Sequence, residues 1–257
     1  MLAELELELD SPQLSVRNSS NLQGFLMSVI DKSYAGVLHE EGRHPYSQFL
    51  WDGRGGAPGS EASGKLVWHI QTLNEEAYRQ MILPMLQVDH FRLKKDTLDV
   101  AVKKSTLRMV RNRELMEEFY GRDSSHTFQL NFLTPASFKS HGEYLFFPNP
   151  DLVFHSLMEK YSSSWKEPGK EESMEMCDED TLRELTEGSR ILRYNLRTVP
   201  FPMEKIHMIG FVGSIRLRLS GPGTMARFAR MLFRFGEFSG VGIKTGMGMG
   251  AMRMREL

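Results

Sequence analysis

Leu2-Ala-Glu-Leu-Glu-Leu-Glu-Leu9 alternates apolar and acidic residues with period two, the pattern of an amphipathic strand, and the rest of the chain is read outward from it. Asn18-Ser-Ser-Asn21 supplies helix caps, and Leu22-Gln-Gly-Phe-Leu-Met-Ser-Val-Ile30 follows with helical spacing. Tyr46-Ser-Gln-Phe-Leu-Trp51 reads as a strand, Asp52-Gly-Arg-Gly-Gly-Ala-Pro-Gly59 as a hairpin tip, and Lys65-Leu-Val-Trp-His-Ile70 as the returning strand. Asn74 caps a helix through about Leu86, and Val100 to Val110 forms a further strand.

The same order recurs downstream. Thr127-Phe-Gln-Leu-Asn-Phe-Leu133 is strand-like, and Asn149-Pro-Asp opens a helix containing Val153, Leu157 and Tyr161. The acidic stretch from Glu171 to Asp180 reads as a loop or exposed link. Ile191 to Thr198 and Ile206 to Leu219 are strands; Gly223-Thr224 starts a helix with Met225, Phe228, Met231, Leu232 and Phe235 on one side. A short strand from Met249 to Met254 closes the chain, with the methionines at 247, 249, 252 and 254 as one buried face. Each copy runs β-α-β-β-α-β. The expectation is an α+β protein of two tandem ferredoxin-like (RRM-like) domains, residues 1–122 and 123–257, with the boundary near Gly121 to His126.

With 257 residues, 40% of them hydrophobic, the chain has enough apolar material for a real core. No apolar run approaches the roughly 18 residues of a membrane span. The N-terminus carries acids where a signal peptide would carry lysines, so no export is expected. Cys177 is the only cysteine, which rules out an internal disulfide or a multi-cysteine zinc site and suits a reducing cytosol. The net charge of −1 conceals an uneven distribution. Lys166 to Glu187 holds nine acids against three bases, whereas Phe201 to Leu257 holds nine bases against three acids. A basic C-terminal third suits a polyanionic partner, and two solvated faces of opposite sign would give the same count.

Five glycines fall in the eleven positions from Gly240 to Gly250, around Lys244. Dense glycine permits positive φ and close approach of backbone to a ligand, and exposed N–H groups can cradle an anion. It is not a P-loop, because Ile243 rather than glycine precedes the lysine, and it lies too near the end to open a dinucleotide-binding helix. Gly240, Gly242, Lys244, Gly246 and Gly248 are therefore candidate polyanion contacts; a tight hairpin with no ligand is the plainer alternative. Leu38-His-Glu-Glu-Gly-Arg-His-Pro-Tyr46 packs His39, Arg43, His44 and Tyr46 between a helix and a strand. Imidazole can give or take a proton near neutral pH, and a cation beside it can stabilise a pentavalent phosphate. His39 and His44 have no third ligand in view, so no metal site is expected. Lys32 and Tyr34 precede this loop, and Lys139 sits in the polar loop Thr134-Pro-Ala-Ser-Phe-Lys-Ser-His-Gly142. Arg227, Arg230 and Arg234 share one face of the last helix, as phosphate contacts or a solvated stripe.

Three stretches together resemble one family: Leu22-Gln-Gly-Phe-Leu-Met leading to Leu38-His-Glu; Thr134-Pro-Ala-Ser-Phe-Lys-Ser-His-Gly-Glu-Tyr-Leu-Phe-Phe-Pro148; and Phe235-Gly-Glu-Phe-Ser-Gly-Val-Gly-Ile-Lys-Thr-Gly-Met-Gly-Met-Gly250. They are similar to the CRISPR-associated repeat-cleaving endoribonucleases, in the version that accompanies type III-A systems. The resemblance implies metal-independent, cofactor-free cleavage within the repeats of a CRISPR precursor RNA, by 2′-hydroxyl attack leaving a 2′,3′-cyclic phosphate and a 5′-hydroxyl. It implies His39 as general acid or base, and His44 or Arg43 as the group that stabilises the phosphate. Where some members carry a tyrosine base on the first helix this chain has Met27, leaving Tyr34, His44 or Tyr46 in that role, or no such base. RNA contacts are expected from Lys32, Lys139, Arg227, Arg230 and the glycine segment. The implied setting is cytoplasmic, as a monomer or homodimer, with transient contact to a type III-A effector complex. The alternatives are a non-catalytic RNA-binding subunit of such a complex and a nucleotide-binding regulator of the same fold.

Overall fold

The structure, a computed structural model, describes residues 1–40, 44–53, 65–93, 95, 97–121, 123–164, 178–203 and 207–257. The first half runs β1 (Leu2–Asp10), α1 (Ser19–Val29), α2 (Lys32–Glu40), β2 (Tyr46–Trp51), β3 (Leu66–Thr72), α3 (Glu75–Ala77), α4 (Leu83–Met85), β4 (His90–Leu93) and β5 (Leu98–Val110). After α5 (Asn112–Tyr120) the second half runs β6 (Thr127–Ala136), β7 (Phe138–Ser140), β8 (Glu143–Leu145), α6 (Pro150–Ser164), α7 (Glu179–Gly188), β9 (Ser189–Pro202), β10 (His207–Leu219), α8 (Gly223–Ser239) and β11 (Met252–Glu256). The two main sheets are antiparallel, with strand orders β2-β3-β1-β5-β4 and β11-β6-β10-β9. Setting β4 aside, both have the ferredoxin-like order, and the α+β class with two such units holds.

Alternation builds each core. On β1, Leu5 and Leu7 point at the helices and pack with Leu22, Leu26, Trp68 and Ile70. On β6 every second residue is buried, so Phe128, Leu130 and Phe132 meet Phe154, Phe233 and Phe235 beneath α6 and α8. Truncating one of these phenylalanines to alanine costs about 3–5 kcal/mol through lost transfer energy and the cavity left behind. The outer edge of β11 is closed by α8: Glu237 Oε1 accepts the Met254 amide at 3.0 Å.

The polar face of β1 is not left to solvent. Glu4 is only 2% exposed because the second half packs on it. Its Oε1 accepts Arg253 Nη2 at 2.6 Å and Gln71 Nε2 at 2.8 Å, and lies 3.1 Å from His69 Nδ1. Gln71 also donates to the Glu237 carbonyl at 2.6 Å, as Arg253 does at 2.8 Å. Burial by itself would raise the Glu4 carboxyl, but His69 and Arg253 outweigh it and hold it down at about 2.

Several elements depart from the sequence expectation. The acidic stretch read as a loop turns helical at Glu179, because Asp178 caps α7 by accepting the Thr181 amide at 2.6 Å and acids suit a helix N-terminus. The hairpin tip after Asp52 and the acidic run before Asp178 fall largely on residues outside the described ones. Only Met252 and Met254 lie on the closing strand; Met247 and Met249 belong to the glycine segment before it. The short elements α2, α5, β4, β7 and β8 carry too few apolar repeats to show in the periodicity.

Two outcomes test this interface. A Glu4→Gln variant leaves Arg253 without its anion, and chemical denaturation should show a loss of about 3 kcal/mol. Because the Glu4 carboxyl is depressed in the folded state, the wild type keeps this contribution above about pH 5 and loses it as pH falls toward 2. The variant's stability should be flatter across that window.

Candidate nucleic-acid interface and cleavage site

His39 is the penultimate residue of α2. Its side chain, and all of Arg43, lie outside the described residues. His44 is exposed and its ring centroid is 5.5 Å from that of Tyr46. Tyr46 is 1% exposed, accepts Gln23 Nε2 at 3.0 Å, and has its phenol raised by burial. That is the setting of a packing residue rather than of a proton acceptor, which corrects the reading of Tyr46 as catalytic. Tyr34 is likewise sealed in the first core.

Beside Tyr46 lies the glycine segment, docked across both halves. Gln48 Nε2 donates to the Gly246 carbonyl at 3.2 Å and to the Ser19 carbonyl at 3.0 Å, and Trp68 Nε1 fixes Gln48 at 2.8 Å. A Cβ on Gly246 would stand 3.0 Å from the Tyr46 hydroxyl. Gly248, at φ 110°, presses on the Ser19 side chain. Lys160 reaches in from α6 and donates to the carbonyls of Ser239 and Gly240 at 3.2 Å and to Thr245 Oγ1 at 3.3 Å; burial pushes its ammonium down to about 7.

The expected anion cradle is therefore mostly spent. Eight of the eleven amides from Gly240 to Gly250 donate within the protein. Gly240, Gly246 and Gly248 are buried and Gly242 is half-buried, so these glycines serve close packing. Lys244 is different: it is exposed, at the tip, with left-handed φ 58°. Lys32 on α2 and Lys139 on β7 are also exposed. Arg230 is not a surface contact. It is 2% exposed, donates to the Asp123 and Glu118 carbonyls and pairs with the Glu118 and Glu256 carboxylates, because its position on α8 faces α5 and β11. Arg227 is half-buried, 3.8 Å from Asp123.

A larger basic surface escaped sequence reading. The open face of the second sheet, opposite α6 and α8, presents Arg190, Arg193 and Arg197 from β9, Arg216 and Arg218 from β10, and Arg253 and Arg255 from β11. Gln129, Asn131, Ser214 and Asn195 fill the rows between; among the described residues the four strands place no acid on this face, and Arg253 is paired there with Glu4 of the first sheet. Arg216 stands directly opposite Arg193, and Arg218 opposite Arg190. Like charges in such register destabilise a sheet. Apart from Arg253, none of these guanidiniums has a carboxylate partner among the described residues. The signal was the period-two arginine of Arg216-Leu-Arg218 and Arg253-Met-Arg255, which puts both members on one face. A cleft of about 830 Å³ continues this face between the halves, with Asn195 and Arg197 meeting Arg17 and Trp51.

Among the described residues, Glu4, Glu6 and His69 place ligand-type atoms within 4.8 Å of one another, but Glu4 Oε1 is already taken by Arg253 and Gln71. The cluster reads as an interdomain ion pair.

Residues 130–252 match the family model of the CRISPR-associated endoribonuclease Cas6. A CRISPR-associated endoribonuclease Cas6 of Mycobacterium tuberculosis is 33% identical over 260 residues, covering 98% of this chain and 77% of the relative. One from Streptococcus thermophilus is 30% identical over 233 residues, covering 91% and 89%. Among solved structures, a Cas6 product complex superposes with TM-score 0.76 at 21% identity over 99% of both chains. Thermus thermophilus Cas6 superposes with TM-score 0.70 at 22% identity over 99% of this chain and 98% of its own. With a third of its residues shared over nearly its whole length, the chain belongs to the CRISPR-associated endoribonuclease Cas6 family.

Proposed function

We propose that this protein cleaves CRISPR precursor RNA within its repeats, without a metal ion. The observation that carries RNA as the substrate is the arginine face, whose cross-strand Arg–Arg pairs cost stability until a polyanion covers them. Phosphates of the repeat lie across that face, with Lys244, Lys139, Lys32 and Arg227 as further contacts.

In the chemistry proposed, the 2′-oxygen of one ribose bonds to the adjacent phosphorus as the bond from phosphorus to the 5′-oxygen breaks. One proton leaves the 2′-hydroxyl and one is delivered to the 5′-oxygen, giving a 2′,3′-cyclic phosphate and a 5′-hydroxyl. His39 is the residue assigned to proton transfer, worth typically about 10²- to 10⁴-fold. Its place near the end of α2, five residues before the exposed His44 in sequence, is consistent with this, with His44 or Arg43 stabilising charge on the phosphorane. The work is done by imidazoles and cations, and the Glu4 carboxylate cluster stays in the interface between the halves. The protein acts as a monomer or homodimer and passes its product transiently to an effector complex.

Two experiments test the reading. Incubation with the repeat of its own locus in EDTA should give cyclic-phosphate ends. His39→Ala should lower single-turnover cleavage by roughly 10²-fold or more while binding is unchanged. Undiminished cleavage by that variant would remove His39 from the mechanism, and binding without any cleavage by the wild type would favour a non-catalytic RNA-binding subunit. Secondly, replacing Arg193 and Arg216 by Gln should weaken repeat binding and reduce the slope of log affinity against log salt by about 0.7–0.9 per lost phosphate contact. The same variant should melt at a slightly higher temperature, because the like-charge row is relieved. Unchanged salt dependence would place the RNA elsewhere.

A further inference from the structure

Five of the chain's exposed large apolar side chains gather around β8 and β9: Tyr144, Phe146, Phe147, Leu192 and Tyr194. Four of them are aromatic, and they are 54%, 46%, 49% and 63% exposed for Tyr144, Phe146, Phe147 and Tyr194. Phe147 and Tyr194 meet edge to face with centroids 6.2 Å apart, and Lys139 Nζ stands 6.0 Å from the Tyr144 ring centroid. Apolar rings this exposed are costly to a surface unless something stacks on them.

Their position says what that partner is. β9 is an edge strand. Tyr194 is in register with buried Ile215 and therefore stands on the helix side of the sheet, whereas Arg193 and Arg197 on the same strand stand on the open, arginine-bearing side. A chain of phosphates leaving the arginine face passes round this edge directly onto Tyr194 and Phe147. At the other end, Lys139 and Tyr144 belong to the β7–β8 hairpin, which joins the glycine segment where the Ile243 amide donates to the Ser137 carbonyl at 2.9 Å, next to exposed Lys244. Exposed rings interleaved with cations and bordered by an arginine face are the composition of a surface that binds single-stranded nucleic acid by base stacking.

We propose that Tyr144, Phe146, Phe147 and Tyr194 form a stacking platform for unpaired nucleotides of the bound RNA, beside the arginine face and separate from the residues assigned to cleavage. The proposal rests on the reading of the protein as RNA-binding. The platform is sequence-tolerant, since every base offers a π-face, and it holds the strand that runs off the repeat.

The test compares wild type, a Phe147→Ala/Tyr194→Ala pair and a Phe147→Trp/Tyr194→Trp pair, each checked for folding by circular dichroism. Each is titrated with a short oligouridylate and with a blunt RNA duplex. The alanine pair should bind the single strand about tenfold more weakly while duplex affinity stays within about twofold, and the tryptophan pair should retain wild-type affinity for both. An oligonucleotide carrying 2-aminopurine should be quenched on binding to the wild type, a readout that needs no variant. Equal single-strand affinity for wild type and the alanine pair, or an unquenched reporter, overturns the platform. So does an alanine pair that merely shifts the sedimentation of the protein, which would make the patch a contact between copies. A wild type that binds neither RNA would instead bring down the RNA-binding reading itself, and this proposal with it.

Discussion

The contact between Glu4 and Arg253 joins β1 to β11, 249 residues apart in sequence. It sits where the open face of the first sheet meets the end of α8. Without it, a carboxylate and a guanidinium would face each other's absence inside a polar layer that also holds Gln71, His69 and the Glu237 carbonyl. The glycine segment can lie against Tyr46 and Ser19 only if α8 delivers it there, and α8 is held by its Glu237 carbonyl accepting from Gln71 and Arg253.

A division of labour results. Glycine here removes the side chains that would hold the two halves apart, and Lys160 fills the space behind it with three hydrogen bonds. On the proposed reading, charge recognition belongs to the second sheet, where β9, β10 and β11 present arginines and those of β9 and β10 stand opposite one another at the expense of local stability. On the proposed reading, proton transfer belongs to His39 on the short helix α2.

The fold was largely legible in the sequence, because long strands and the larger helices announce themselves by period. β2 is Tyr46–Trp51 as read, β10 ends at Leu219 as read, and Asn74 caps its helix by accepting the Ala77 amide at 2.8 Å. The site was legible only in part. Arg230 shares helical spacing with Arg227, and sequence spacing cannot reveal that α5 and β11 cover one and not the other. Tyr46 alternates like any strand residue, and its burial comes from a loop two hundred positions downstream. The arginine face is spread over three strands, so its members become neighbours only through register.

One edge of the second sheet has a further consequence. Glu237 occupies the outward amide of Met254, which blunts the β11 edge of the sheet. The only other edge is β9, long and open to solvent, the kind of edge that invites a foreign strand. Arg190, Arg193 and Arg197 make that invitation repulsive to a second copy of the same strand. A charged edge of this kind is one way a sheet avoids pairing with its own copies.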